Sequence, residues 1–257
     1  GYGGVTRDFN GAGGDDILWY NPGPGVDPVW YSKTSSRKAP FNTDNTVSVK
    51  GKGYSPLKGD FNGDGYADVF WYGPGDINDS MWYGTQTKGS FDMTSLNANV
   101  KGQYTPLVGD FDGDNNDDIL WYGPGSGNND AIWYGVDSKV SKFNKSFDVV
   151  VKGTYKPAVG DFDGDGSADI LWYGPGGAND SMWYGTQTTG TFSKGYNVTV
   201  KGNYEPVVGD FSGNNQDDIL WYGPGTANDA IWYGSSSRNA KFNKNYDVVV
   251  NGAEARP

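Results

Sequence analysis

Asp161-Phe162-Asp163-Gly164-Asp165-Gly166-Ser167-Ala168-Asp169 runs straight into Ile170-Leu171-Trp172-Tyr173, and Gly174-Pro175-Gly176 ends the run. Acidic side chains stand at positions 1, 3, 5 and 9 of a nine-residue loop, with an aromatic-rich apolar segment behind them. The unit occurs five times, with its first aspartate at Asp8, Asp60, Asp110, Asp161 and Asp210, in steps of 52, 50, 51 and 49 residues. A fixed period of this size marks a repeat architecture, in which each unit buries its apolar surface against its neighbours.

Each period reads as four short strands. The first ends in Pro-x-Val-Gly or similar, as in Tyr155-Lys-Pro-Ala-Val-Gly160, with a tyrosine six residues before the loop aspartate at Tyr2, Tyr54, Tyr104, Tyr155 and Tyr204. The second is the Ile-Leu-Trp-Tyr run; it is apolar on both faces and so predicts a strand covered by a layer on each side. The third is Val29-Trp-Tyr31, Met81-Trp-Tyr83, Ile132-Trp-Tyr134, Met182-Trp-Tyr184 and Ile231-Trp-Tyr233. The fourth is expected at segments such as Phe147–Val151 and Tyr246–Val250. Helical periodicity is absent. Four strands per ~50 residues joined by tight turns describe a blade of a β-propeller. The expected fold is therefore an all-β, five-bladed β-propeller with four-stranded antiparallel blades. It forms a single domain over 1–257, with blades near 1–52, 53–102, 103–153, 154–202 and 203–252 and a tail at 253–257. Blades 2 and 4 share Asp-Ser-Met-Trp-Tyr-Gly-Thr-Gln-Thr, whereas 3 and 5 share Asp-Ala-Ile-Trp-Tyr-Gly, as duplication of a two-blade unit would leave them.

Composition narrows the chemistry. Aromatics make up 16% of the 257 residues, so Trp, Tyr and Phe must build most of the core. Net charge is −11 with no basic stripe, which argues against a nucleic-acid partner. No apolar run has the length of a membrane span, so membrane insertion is not expected. Histidine and cysteine are both absent. That removes disulfides, thiolate zinc sites and the commonest general base, so the chain is expected not to be an enzyme.

The acidic loop suits calcium, a hard cation that takes six to eight oxygens. Side chains at 1, 3 and 5 of a tight turn converge, a carbonyl at 7 adds a ligand, and a carboxylate at 9 closes the shell. The loop is similar to those of the FG-GAP or VCBS repeat family, which have the form Asp-x-Asp-x-Asp-Gly-x-x-Asp between two strands and include integrin-α-like calcium-binding propellers and some lectins. It is not an EF-hand, because position 12 is a strand aromatic such as Trp172 and not a bidentate glutamate.

The resemblance implies three to four structural Ca2+ ions. Blade 4 would bind through Asp161, Asp163, Asp165, the Ser167 carbonyl and Asp169. Blade 3 would use Asp110, Asp112, Asp114, the Asn116 carbonyl and Asp118, and blade 2 Asp60, Asn62, Asp64, the Tyr66 carbonyl and Asp68. Blade 5, with Asp210, Ser212, Asn214, Gln216 and Asp218, has two carboxylates and should bind more weakly. Blade 1 keeps Asp8, Asn10 and Asp16 but has Ala12 at position 5, and is expected to be empty.

All ten tryptophans lie in the second and third strands, two per blade. They read as core between blades, with sugar stacking at blade junctions as the functional alternative. The Asn-Asp pairs such as Asn78-Asp79 and Asn179-Asp180 read as turn formers or as repeated polar ligand groups. Lys142–Lys145 and Lys241–Lys244 read as a solvated outer face. The functional expectation is a secreted or cell-surface, non-catalytic, lectin-like module that binds a glycan or cell-surface ligand. The alternative is a structural or protein-interaction propeller, possibly appended to a secreted enzyme.

Overall fold

The computed structural model describes residues 3–33, 38–94, 100–125, 130–139, 143–146, 149–177, 179–224, 228–238, 242–245, 248 and 250. Among these there is no helix, and the strands form five four-stranded antiparallel sheets, each a simple meander. They fall into two compact units. The first lies within Gly1–Val108, Asn115–Gly123 and Ala131–Phe147; the second lies within Gly109–Asp114, Pro124–Asp130 and Asp148–Pro257.

The first unit holds three sheets. Sheet 1 is β1 (Gly3–Arg7), β2 (Asp16–Tyr20), β3 (Asp27–Ser32) and β4 (Phe41–Val47). Sheet 2 is β5 (Ser55–Gly59), β6 (Asp68–Tyr72), β7 (Ser80–Tyr83) and β8 (Asp92–Thr94). Sheet 3 is β9 (Thr105–Gly109), β10 (Asp118–Tyr122), β11 (Ala131–Tyr134) and β12 (Asn144–Ser146), with Gly109 already in the second unit. The second unit holds sheet 4, β13 (Lys156–Gly160), β14 (Asp169–Tyr173), β15 (Asp180–Tyr184) and β16 (Ser193–Val198). It also holds sheet 5, β17 (Glu205–Gly209), β18 (Asp218–Tyr222), β19 (Ala230–Tyr233) and β20 (Asn243–Asn245). Each unit by itself is an open run of sheets, so closure into a ring is a property of neither.

The register follows from the repeat. In sheet 4, Pro157 lies opposite Trp172 and Leu171 opposite Met182. Proline is tolerated there because β13 is an edge strand and need not donate on its outer side. The second strands β6, β10 and β14 are buried at every position, as a strand covered on both faces must be. β18 departs at one residue, Leu220, which is half-buried, and β2 alternates buried and half-buried.

Aromatic rings knit neighbouring sheets. Tyr20 of sheet 1 lies 5.1 Å from Trp71 of sheet 2, Tyr72 lies 5.0 Å from Trp121, and Tyr173 lies 5.0 Å from Trp221. Trp71, Trp121, Trp172 and Trp221 are at most 1% exposed. Core packing thus accounts for the tryptophans of sheets 2 to 5, while Trp19 and Trp30 of sheet 1 are only half-buried.

Two expectations are corrected. The fourth strands of sheets 3 and 5 lie upstream of the valine runs, at Asn144–Ser146 and Asn243–Asn245. Residues 147–148, 246–247 and 249 are outside the described residues, but Val149–Val151 are not strand. The Val151 and Val250 N–H groups instead donate to buried carboxylates, Asp130 and Asp229. Nor are Lys145 and Lys244 simply solvated: Lys145 Nζ sits 3.5 Å from the centre of the Trp133 ring, and Lys244 Nζ 3.7 Å from that of Trp232, while Lys142 and Lys241 lie outside the described residues. A β12 or β20 that begins one turn earlier sets these lysines opposite the indoles (Trp133↔Lys145, Trp232↔Lys244), where cation–π attraction holds them.

Candidate functional site

The acidic loop is organised by its first aspartate. Asp161 accepts the N–H groups of Gly164 (2.7 Å), Asp165 (3.1 Å) and Gly166 (2.9 Å). Asp60 does the same for Asp64 and Gly65, Asp8 for Ala12 and Gly13, and Asp210 for Gly213, Asn214 and Asn215. The turn needs positive φ at position 6. Glycine supplies it at Gly166 (89°), and asparagine at Asn115 (70°) and Asn215 (62°).

The aspartate at position 9 is a buried pin. Asp16, Asp68, Asp118, Asp169 and Asp218 are all 0% exposed. Asp169 accepts the Phe162 N–H on one oxygen and the Gly185 N–H on the other, each at 2.9 Å, and Asp68 does likewise with Phe61 and Gly84. Burial pushes the Asp68 and Asp169 carboxyls up to about 8; nearby carboxylates push the same way, and the backbone N–H bonds oppose them.

A second set of buried pins appears where turn or ligand aspartates were expected. Asp180 is 0% exposed and ties Gly174 N to Val200 N, while Asp79 ties Gly73 N to Val100 N. They clamp the turn after the second strand to the connector that leaves the sheet. That use of both oxygens removes the reading of these aspartates as exposed ligand groups; Asn129 lies outside the described residues.

Carboxylates gather in two places. Asp110, Asp112 and Asp114 each offer an oxygen within 4.8 Å of the others, and so do Asp161, Asp163 and Asp169. Both groups lie in the second unit. Asp112 is buried, and its Oδ1 has no hydrogen-bond partner among the described residues, while Oδ2 accepts from Thr189 at 2.6 Å. Ser167 Oγ is likewise buried and unpartnered. A cluster of oxygen donors with an orphaned buried carboxylate oxygen fits a hard divalent cation.

The remaining predicted ligands are placed as follows. Asn116 and Asp118 lie in the first unit, where Asn116 donates to Asp137 and Asp118 accepts from Gly135. In the loop of sheet 2, Asp64 donates its N–H to Asp60 at 3.1 Å, while its carboxylate accepts from Asn62 at 3.2 Å and from Tyr66 N at 3.0 Å. In the loop of sheet 5, Asn214 pairs with Gln216, and Ser212 N turns to the buried Asp218. In the sheet 1 loop, the buried Asn10 Nδ2 has no partner.

Two cations that sequence reading missed also touch these loops. Arg238 bonds both Asp163 and Asp165 and donates to the Gly185 carbonyl at 3.0 Å. Lys139 lies 3.0 Å from Asp64. Arg238 is 75 residues from Asp163 in the chain, and nothing local in the sequence couples them.

A cavity of ≈ 290 Å³ lies in the second unit at the junction of sheets 4 and 5, lined by Trp221, Trp232, Tyr204, Lys201 and Thr199 among others. Both indoles have a buried Nε1 with no acceptor among the described residues. The corner recurs. Tyr54 lies 6.3 Å from Trp71, Tyr104 6.3 Å from Trp121 and Tyr204 6.2 Å from Trp221, and the Trp71 and Trp121 Nε1 atoms are likewise unpartnered.

Comparison with known families now decides the class. Residues 60–121 match the FG-GAP-like repeat and residues 153–191 the FG-GAP repeat. Those two stretches are FG-GAP repeats. Both matched stretches begin at or contain an acidic loop and its following strands, the elements that carry the carboxylate clusters. No curated relative matches the chain in sequence.

Among solved structures, it is similar to an Agrocybe aegerita lectin that specifically recognises non-reducing terminal N-acetylglucosamine. The TM-score is 0.70 at 17% identity over 96% of this chain and 66% of the lectin chain. It is also similar to the Photorhabdus luminescens Tc holotoxin pore, with a TM-score of 0.58 at 16% identity over 95% of this chain and 12% of that one. At these identities the likeness is one of fold. The chain spans no more than 66% of either neighbour.

Proposed function

We propose that the five sheets are the blades of a secreted, non-catalytic β-propeller that binds structural calcium and recognises glycans in lectin fashion. The observation that carries this reading is the Trp/Tyr corner between blades. At Trp221 and Trp232 it lines a cavity with two buried indole N–H groups that lack an acceptor among the described residues. A buried unpaired donor is costly, and a sugar hydroxyl or N-acyl carbonyl entering the cavity would satisfy it. No lining residue of the cavity is a carboxylate, so the carboxylate pair that most glycosidases use is absent from its lining. The likeness to a lectin supports the reading.

The calcium ligands proposed are the loop oxygens of sheets 2 to 5. The clusters Asp110, Asp112, Asp114 and Asp161, Asp163, Asp169 are the strongest of them, with an ion there replacing carboxylate repulsion by coordination. Weak calcium binding of this kind is suited to extracellular concentrations, which supports secretion. Repeated corners would give several equal sites, whose avidity offsets weak single affinity.

The test is a glycan array with terminal N-acetylglucosamine among its ligands, run in millimolar calcium and in chelator, with Trp232→Ala alongside. Binding that needs calcium and weakens at least tenfold in the variant is expected. An array silent at every calcium level would sink the lectin reading. The likeness to a segment of a holotoxin assembly favours the second reading, a protein-interaction propeller, in that event.

A further inference from the structure

Four of the acidic loops are gripped from the following repeat by one set of contacts. The residue at position 8 of the next loop donates its N–H to the carbonyl of position 1: Ala67 to Asp8 (2.9 Å), Asp117 to Asp60 (2.7 Å), Ala168 to Asp110 (2.6 Å) and Asp217 to Asp161 (2.8 Å). The phenylalanine at position 2 meets a phenylalanine of the following repeat: Phe9 with Phe91, Phe61 with Phe143, Phe111 with Phe192 and Phe162 with Phe242, at ring separations of 5.6 to 5.7 Å. In three loops the carbonyl of that position-2 residue accepts the N–H just beyond the glycine after the following third strand: Val136 N bonds Phe61 O, Thr186 N bonds Phe111 O and Ser235 N bonds Phe162 O. This bond lays the chain across the loop, so the side chain three residues further on reaches the loop's own acids.

That side chain differs from loop to loop. At the loop of sheet 4 it is Arg238, which bonds Asp163 and Asp165, positions 3 and 5, and donates to the Gly185 carbonyl. At the loop of sheet 2 it is Lys139, which lies 3.0 Å from Asp64 at position 5 and donates to the equivalent carbonyl, Gly84, at 3.3 Å. At Asp110–Asp114 it is Thr189, a neutral hydroxyl that donates to Asp112 Oδ2 and leaves Oδ1 without a partner among the described residues. The loop of sheet 1 has no carboxylate at positions 3 and 5. There Lys88, at the same place in the repeat, lies 5.8 Å from the centre of the Tyr31 ring, as Arg238 lies 5.4 Å from that of Tyr184.

The carboxylates record the difference. Under Thr189, the acids of positions 1, 3 and 5 converge, with oxygens of Asp110, Asp112 and Asp114 within 4.8 Å of one another. Under Arg238 the converging set is Asp161, Asp163 and Asp169, and Asp165, tied to the guanidinium, is not in it. Under Lys139, Asp60, Asp64 and Asp68 form no such group among the described residues. Arg238 and Lys139 thus place positive charge on oxygens that a metal ion in the same loop would need.

On the reading that these loops hold calcium, we propose that this side chain sets how readily each of them takes the ion. Thr189 leaves its loop open. Arg238 and Lys139 are cations of the chain's own, and they must give up their carboxylates before the loop can coordinate a metal. Apparent affinity falls with the fraction of loops that are free, so an arginine in place roughly nine-tenths of the time weakens binding about tenfold. Arg238 is the stronger competitor, because its planar fork holds two of the loop's carboxylates where the Lys139 ammonium holds one. The loop of Asp110 therefore fills before that of Asp161. Filling the second loop also opens the link that Arg238 makes from sheet 5 to sheet 4.

Calorimetric titration of the full chain with calcium tests this. In an Asp112→Ala background, which silences the loop under Thr189, Arg238→Gln should tighten the strongest remaining site about tenfold. Lys156→Gln makes the same charge change at the far end of β13 from that loop, and should move the site by less than about twofold. Conversely, Thr189→Arg in the otherwise wild-type chain should weaken the first site about tenfold. Nitrogen-15 NMR supplies a readout that needs no substitution: the Arg238 Nε–H, bonded to Asp163 in chelator, should lose its exchange protection as calcium is added to wild type. Calcium that binds Arg238→Gln no more tightly than Lys156→Gln, or that fills the loop while the Arg238 Nε–H stays protected, would overturn the proposal and leave the calcium sites standing. Wild type and variants that bind no calcium at all would bring down both.

Discussion

The loops Asp161–Asp169 and Asp210–Asp218 belong to the same unit and make the same turn, yet their surroundings differ. In both, the first aspartate gathers three backbone N–H groups. In the first, Phe162 is 1% exposed and three carboxylates converge; in the second, Phe211 is 50% exposed and positions 3 and 5 are Ser212 and Asn214. The turn thus survives loss of its middle carboxylates and exposure of its phenylalanine. The conformation is set by position 1 and by residues that tolerate positive φ. Carboxylates at 3 and 5 are surplus to folding, which is why they point to a cation.

The largest effect that could break this comparison is in packing. Phe162→Ala should cost about 4 kcal/mol, a drop in Tm of roughly 10 °C, whereas Phe211→Ala should cost under about 1 kcal/mol. Equal losses in a thermal melt of the two variants would mean that the second loop is covered after all.

Calcium should sharpen the contrast. Asp163→Ala should lose one bound ion by calorimetric titration, and with it about 2.7 kcal/mol of stabilisation at calcium a hundredfold above Kd. Ser212→Ala, in a loop with only two carboxylates, should leave the ions of the two carboxylate clusters bound and lower Tm by less than Asp163→Ala does. An unchanged ion count in Asp163→Ala would refute the assignment of the cluster.

The remaining contrast is in pH. Asp169 rises from its ordinary 3.8 to about 8 on burial, as does Asp68. The folded, calcium-free protein therefore binds more protons than the unfolded chain between those values, and its stability falls as pH rises through that window. Chelated protein should melt higher at pH 5 than at pH 8. Calcium, which favours the ionised carboxylates and releases protons on binding, should shrink that gap. A chelated protein that is more stable at pH 8 would show that the two backbone N–H bonds outweigh burial.

The period, the four strands per unit and the acidic loops could all be read in the sequence, because each is a local pattern: alternating turn residues, Trp-Tyr pairs, aspartates two apart. The fourth strands of sheets 3 and 5 were misplaced because valine runs carry β-propensity, yet Val151 and Val250 are held by single carboxylate bonds outside any ladder. Propensity gave way to tertiary context. The buried roles of Asp79 and Asp180 were hidden for a similar reason: Asn-Asp is a common turn pair, and only the fold brings Val100 N and Val200 N to their second oxygens. Arg238 at Asp163 could not be read at all, since sequence pattern holds no signal for a contact 75 residues apart.

The contacts between sheets are carried largely by main-chain amides and carbonyls of the loop, by one phenylalanine and by its phenylalanine partner. Such a seam is indifferent to most side-chain drift. Unequal recombination that gains or loses a whole period would regenerate it intact at the new junction, so lineages carrying this sequence could change their number of units without inventing a new interface.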